Sequence, residues 1–158
     1  ESLKANVTLK EICASNNDIT DDGAIALACA LRRNKSLRVL SLKLNYVTCD
    51  GISILSDALR INSHLHVLNL NSNNIGRRGA FILAEALKVN KSLRKLHLVN
   101  NDLHEEGILG LKEVLKINPQ CSITLSDNIG VFASRMHLDV GARKPTATIT
   151  ASVFSHEE

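Results

Sequence analysis

Ten columns of residues recur every 28 positions through the first 120 residues, so most of this chain is one unit written about four times. Leu9, Leu37, Leu65 and Leu93 form one column. Ile12, Leu40, Leu68 and Leu96 form the next, followed by Ala14, Leu42, Leu70 and Leu98. An asparagine closes each of these stretches, at Asn17, Asn45, Asn73 and Asn101, and a glycine follows at Gly23, Gly51, Gly79 and Gly107. The second half of each unit carries Leu27, Leu55, Leu83 and Leu111, then a second asparagine column at Asn34, Asn62, Asn90 and Asn118, with Asn6 ahead of it. Self-similarity at such a period predicts a stacked array, because no single unit can bury its own apolar face.

Within a unit the spacing changes from two to helical. Leu37-x-x-Leu40-x-Leu42 alternates as a short strand with one buried face. Ala80, Leu83, Ala84 and Leu87 then fall on one stripe of an amphipathic helix. Thr20 and Thr48 stand where helix N-caps are expected, with Asp21, Asp22 and Asp50 in the first turns and Arg32, Arg60, Lys88 and Lys116 near the other ends, an order that complements the helix dipole. Strand, turn, helix, turn, repeated with a helical crossover, makes neighbouring strands parallel.

The L-x-x-L-x-L-x-x-N-x-I/L core, the 28-residue period and the G-x-x-x-L-x-x-A-L helix resemble the ribonuclease-inhibitor-like class of leucine-rich repeats over residues 1–120. That resemblance implies an α/β solenoid, a right-handed horseshoe segment with parallel strands on the concave face and helices on the convex face. It also implies that Asn17, Asn45, Asn73, Asn101 and Asn128 form a ladder whose amides satisfy the backbone of their turns. The class includes ribonuclease inhibitor, the sensor ends of nucleotide-binding (NOD-like) receptors, tropomodulin and Ran GTPase-activating proteins, so it implies protein binding without naming a ligand. Asparagine at every ladder position departs from the asparagine–cysteine alternation of ribonuclease inhibitor. The absence of an acidic tail after the repeats departs from the GTPase-activating proteins.

The register divides the chain into repeats over residues 1–128 and a remainder over 129–158. Residues 1–8 align with 29–36, so the chain opens inside the last turn of an earlier helix. The expectation is a fragment of a longer array or a chain that has lost upstream repeats, with self-association through an uncapped first repeat as the alternative. Ile123, Leu125 and Asn128 read as the strand of a degenerate fifth unit over 121–128, arriving one residue early. Beyond it a short cap to about residue 140 and a flexible tail are expected, although the weak alternation of 146–153 also fits an edge strand.

Composition narrows the classes. Hydrophobic residues make up 44% of the chain and aromatics 3%, which calls for an aliphatic core. A net charge of +3, spread along the chain, gives no nucleic-acid footprint. No apolar run reaches the roughly 18 residues of a membrane span. Cys13, Cys29, Cys49 and Cys121 occupy four different positions of the unit, without disulfide or zinc spacing, and four free thiols favour a reducing, cytoplasmic setting. Asn6, Asn34 and Asn90 match the glycosylation pattern, but the repeat register demands asparagine there anyway.

No catalytic constellation emerges. Asp21-Asp22 and Glu105-Glu106 occupy equivalent helix starts, where carboxylates are stabilised by the dipole. His64, His66 and His97 lack a further ligand at matching height. Gly76-Arg-Arg-Gly79 lacks the lysine and length of a phosphate loop. The expectation is a non-enzymatic module with no cofactor and no metal.

Two surfaces remain as candidates for binding a protein. Arg77 and Arg78 place positive charge at a helix start where the other units are acidic, which suits an acidic partner on the loop edge, or simply two solvated arginines. The strand residues between the buried leucines face outward and align into stripes, namely Glu11, Val39, Val67 and Lys95; Cys13, Ser41, Asn69 and His97; and Ser15, Lys43, Asn71 and Val99. Glu11, Ser41, Lys43, Asn69, Asn71, Lys95 and His97, with Arg77 and Arg78, are the candidate partner-binding residues. Their variety suits recognition and equally suits an unconstrained surface. Four strands about 4.8 Å apart give a patch smaller than the roughly 800 Å² per partner of a standard interface, so binding is expected to be weak or to extend onto further repeats. The alternatives are an enzyme regulator of the GTPase-activating kind and a structural scaffold.

Overall fold

A computed structural model describes residues 2–128 and 149–150. In chain order the elements are α1 (Ser2–Ala5), β1 (Glu11–Cys13), α2 (Asp21–Leu31), β2 (Val39–Ser41), α3 (Cys49–Ile61), β3 (Val67–Asn69), α4 (Gly76–Val89), β4 (Lys95–His97), α5 (His104–Ile117), β5 (Ser122–Thr124) and β6 (Ile149–Thr150). The strands form one parallel sheet in sequence order. Each helix from α2 to α5 packs on the next. The architecture is an α/β solenoid, and its pairing joins residues one unit apart, such as Ile12 with Leu40, Leu40 with Leu68 and Leu68 with Leu96.

The core is a continuous leucine-rich spine between sheet and helices. Leu37, Leu40 and Leu42 from one strand region, Leu65, Leu68 and Leu70 from the next, and Leu93, Leu96 and Leu98 from the third are fully buried, against Leu55, Leu59, Leu83, Leu87 and Leu111 of the helices. It holds no aromatic side chain among the described residues; Tyr46 and Phe81 lie at the surface. At the first unit Leu9 is 42% exposed, whereas its equivalents Leu37, Leu65 and Leu93 are buried.

The strands are only three residues long, but hydrogen bonding continues beyond them. Leu42 N–H donates to the Asn69 carbonyl at 2.8 Å and Leu44 N–H to that of Asn71 at 2.9 Å, with the same pair of bonds one unit further at Leu70 and Ser72. The chain then turns through a left-handed residue just before each closing asparagine. Asn16, Leu44, Ser72, Asn100 and Asp127 have φ between 55° and 58°. Short polar residues tolerate that region, whereas leucine is strained there.

The fifth unit is short by one residue at a definable place. Cys121 is 28 positions from Leu93 and fully buried like it, yet Ser122 pairs with Lys95, only 27 positions away. The missing residue is therefore the equivalent of Arg94, and β5 starts directly after the core position. The cap and flexible tail expected over 129–158 lie outside the described residues, apart from Ile149 and Thr150, which pair with Ile123 and Thr124.

Helix starts vary more than the sequence suggested. Thr48 accepts from Asp50 N–H at 3.3 Å as an N-cap, but Thr20 makes no side-chain cap. At the equivalent positions Gly76 (φ 66°) and His104 (φ 56°) are left-handed and begin their helices. No helix among the described residues is long and apolar enough to cross a membrane.

Candidate protein-binding face

Two asparagine columns hold the turns at either side of the sheet. In the closing column, Asn45 donates to the carbonyls of Ala14 (3.0 Å), Leu42 (2.9 Å) and Lys43 (3.2 Å), and its Oδ1 accepts from Asn17 N–H and Ile19 N–H at 3.2 and 3.0 Å. Asn73 repeats this with Leu42, Leu70 and Asn71 as acceptors and Val47 N–H as donor. Asn128 binds Leu98, Leu125 and Ser126 and accepts from Asn101 N–H. Asn17, at the exposed end, donates to Ser15 alone among these carbonyls. Asn101 departs from the pattern. Ile75 is helical and Gly76 N–H reaches the Asn101 main-chain carbonyl at 3.0 Å, which leaves the buried Asn101 Oδ1 without a partner.

The second column is more regular and more buried. Asn62 donates to the carbonyls of Leu31 (2.7 Å) and Asn34 (3.0 Å) and accepts from the N–H groups of His64 and Leu65, both at 2.8 Å. Asn90 does the same with Leu59, Asn62, Ser92 and Leu93. Each amide thus closes its own loop and ties it to the end of the previous helix. At Asn34 and Asn90, 2% and 4% exposed, the amide nitrogen is committed to two carbonyls, so a glycan there is incompatible with the folded stack.

With both turns fixed, the strand residues between the buried leucines form the open face. Pairing aligns Glu11, Val39, Val67, Lys95 and Ser122 in one stripe, and Cys13, Ser41, Asn69, His97 and Thr124 in the next. The stripes are cross-linked by side chains. Ser15 and Ser41 hydroxyls meet at 2.8 Å, Asn71 N–H donates to Asn69 Oδ1 at 3.0 Å, Val99 N–H to Asn71 Oδ1 at 2.9 Å, and His97 Nδ1 lies 3.0 Å from Thr124 Oγ1. Burial, helped by the positive charge of Lys95, pushes the His97 imidazole below its usual range and favours the neutral form. The Ser15 hydroxyl holds the Cys13 thiol below its usual range. The face is therefore mostly an uncharged hydrogen-bonding surface, with Glu11 at the first end of one stripe, Lys95 three strands on beside Ser122, and exposed Lys43 next to the strands.

Seven of the nine candidate residues share this face. Arg77 and Arg78 do not; they lie in the first turn of α4, lining a shallow cleft with Thr48, Cys49, Asn74, Gly76, His104 and Glu106. Arg77 is 3.5 Å from Glu106 of the following helix, so half of that unusual charge is answered within the chain. Ser122 and Thr124 extend the stripes and were missed because the fifth unit breaks register. Among the described residues no group of three or more His, Cys, Asp or Glu is placed to hold a metal.

The Leucine Rich repeat family model matches residues 5–28, 62–84 and 89–112. The repeats are leucine-rich repeats. Two solved structures share the leucine-rich-repeat architecture. The leiomodin-1 structure titled "Actin-Binding Site 2 (ABS2)" superposes with a TM-score of 0.72 at 23% identity, over 78% of this chain and 73% of that one. The tropomodulin C-terminal domain of Caenorhabditis elegans gives 0.71 at 20% identity, over 84% of this chain and 80% of that one. No curated protein matches the chain. At these identities the leucine-rich-repeat likeness concerns the fold.

Proposed function

We propose that this chain is a non-enzymatic module that binds a protein partner through the open face of its sheet and the adjoining loop edges. The observation that carries the reading is the register. Pairing turns five separate three-residue strands into two unbroken stripes, Cys13, Ser41, Asn69, His97 and Thr124 in one and Glu11, Val39, Val67, Lys95 and Ser122 in the other, whose backbones are already paired, leaving side chains to do the recognition. Such a rigid, pre-formed surface loses little entropy on binding. The name of the leiomodin-1 structure makes actin the first partner to test. The ribonuclease-inhibitor-like subclass, with its receptor-sensor members, is the wider setting we favour, on the 28-residue period and the asparagine columns. A cytoplasmic location fits the four free thiols.

The test is co-sedimentation with actin filaments and binding to monomeric actin, comparing the native chain with Lys43→Glu/Asn71→Glu/His97→Glu. The reading expects binding that this triple variant weakens at least about tenfold, the loss of roughly 1.4 kcal/mol or more. Binding equal in both proteins would exclude the open face. Stimulation of GTP hydrolysis by small GTPases would instead favour the enzyme-regulator reading.

A further inference from the structure

The opposite edge of the sheet, where helices end and strands begin, carries a groove that no reading above uses. It lies between the loops after α3 and α4 and is lined by Arg60, Ile61, His66, Val89, Lys91 and Arg94, together with the loop asparagines and serines. Three of these are cations, and no carboxylate is among the lining residues. Ile61 and Val89 are 58% and 57% exposed, and Ile117, the same position one unit on, is 54% exposed. A large aliphatic side chain left in water in three consecutive units is not a packing requirement, since each unit buries its own leucines and alanines without it.

Helix-dipole complementarity accounts for only part of the charge. Arg60 and Lys88 stand in last helical turns and pair with Asp57 and Glu85 of their own helices. Lys91 and Arg94 lie beyond the helix in the loop, where Lys91 Nζ reaches the Ile117 carbonyl at 3.4 Å and Arg94 meets Gln120. Both are exposed and neither contact supplies a counter-charge. Lys35 and Arg38 occupy the equivalent positions one pair of units earlier.

We propose that this edge is a docking groove for an acidic protein segment bearing aliphatic side chains, laid across successive loops. Carboxylates of the segment face Lys91, Arg94 and Arg60, and its aliphatic groups cover Ile61, Val89 and Ile117. Charge complementarity selects this occupant: a cationic rim around an apolar strip attracts the acidic chain and then gains from burying the strip. Nucleic acid is disfavoured because no phenylalanine, tyrosine or tryptophan lines the groove as a platform for base stacking. An anionic membrane is the competing occupant, and the vesicle measurement below separates it from the protein segment.

The inference rests on the chain being a protein-binding module, but on a different surface, and the two fail separately. A fluorescein-labelled peptide of alternating glutamate and leucine is titrated by anisotropy into the native chain, Lys91→Glu/Arg94→Glu, Ile61→Ser/Val89→Ser and Lys43→Glu/His97→Glu, with circular dichroism confirming that each is folded. Expected are binding that weakens with salt, a loss of about tenfold or more in the charge variant, a loss of about fivefold in the serine variant, and no change in the open-face variant. No binding of the peptide, or binding lost only in the open-face variant, overturns the edge and leaves the module reading standing. Association of the native chain with phosphatidylserine vesicles in place of the peptide also overturns it.

Discussion

The carboxylate of Asp21, in the first turn of one helix, caps the start of the next: Oδ1 accepts from Thr48 N–H at 2.8 Å and Oδ2 from the Thr48 hydroxyl at 2.7 Å. Oδ1 also accepts from Gly51 N–H at 3.0 Å. The sequence placed Asp21 as a dipole partner of its own helix; its larger role is to join two units. Burial raises its pKa, but the hydrogen bonds from Thr48 and Gly51 outweigh that and hold it below the ordinary value of 3.8. A depressed folded pKa gives stability that is present above the unfolded value and lost as pH falls through the folded one. Asp21→Asn should therefore cost about 1 kcal/mol in urea melts at neutral pH. Its penalty should shrink as pH falls below about 3.8, where the unfolded chain takes up the proton, and be gone once pH has passed the lower pKa of the folded carboxylate.

Gly51 follows from the same contact. A Cβ at this position would run into the Asp21 carboxylate and lie 3.2 Å from Ala24 Cβ. Gly51→Ala should destabilise by about 2 kcal/mol, more than helix propensity would return, and the loss should be smaller in an Asp21→Ala background. A double-mutant cycle of thermal or urea unfolding measures the coupling.

The asparagine columns were visible as spacing, but their inequality was not, because depth within a stack depends on what packs above and below. Asn62 is 5% exposed and holds two carbonyls and two N–H groups, whereas Asn17 is exposed at the first unit. Asn62→Ala should cost about 3 kcal/mol or more, since four main-chain groups lose their partner in a buried loop. Asn17→Ala should cost about 1 kcal/mol or less. Chemical denaturation of the two variants measures how much depth in the stack adds to an asparagine's hold on its turn.

The solenoid itself was legible because the period fixes which residues are neighbours: Leu40 and Leu68 pair for the same reason that they are 28 residues apart. Local backbone geometry was less so. Asn16, Ser72 and Asn100 are types that tolerate a left-handed turn, but Leu44 in the same column gives no such signal, since the turn there is imposed by strand and asparagine on either side. The candidate face followed from alternation, but Ser122 and Thr124 were hidden by the one-residue deletion after Cys121. The charge pair Arg77–Glu106 needed the packing of two helices to appear.

Leu44 offers a gain of stability. It sits at φ 56° with 47% of its surface exposed, so the conformation costs roughly 1 kcal/mol while the side chain buries little. Leu44→Asn, the residue that Asn16 and Asn100 already supply at this position, should raise stability by about 0.5–1 kcal/mol. Calorimetry should show a midpoint higher by a few degrees. An unchanged or lower midpoint would mean that the exposed leucine contributes packing that the geometry does not reveal.

Cys13, Cys49 and Cys121 should separate by reactivity. Cys13 is exposed, and its pKa is lowered by the Ser15 hydroxyl; Cys121 is fully buried, and burial pushes its thiol up to about 11. Since the thiolate is the nucleophile, iodoacetamide at neutral pH should modify Cys13 first and leave Cys121 intact until the chain unfolds. Cys49, whose pKa burial raises, should react between them. The raised Cys121 value also sets a sign: the unfolded thiol ionises near 9 and the folded one near 11, so stability should fall as pH rises through that interval. Cys121→Ala should remove that slope. Because the substitution also empties core volume, it should lower stability at neutral pH by about 1 kcal/mol. Peptide mass mapping of the labelled chain tests the order of reaction, and urea melts at neutral and alkaline pH test the slope.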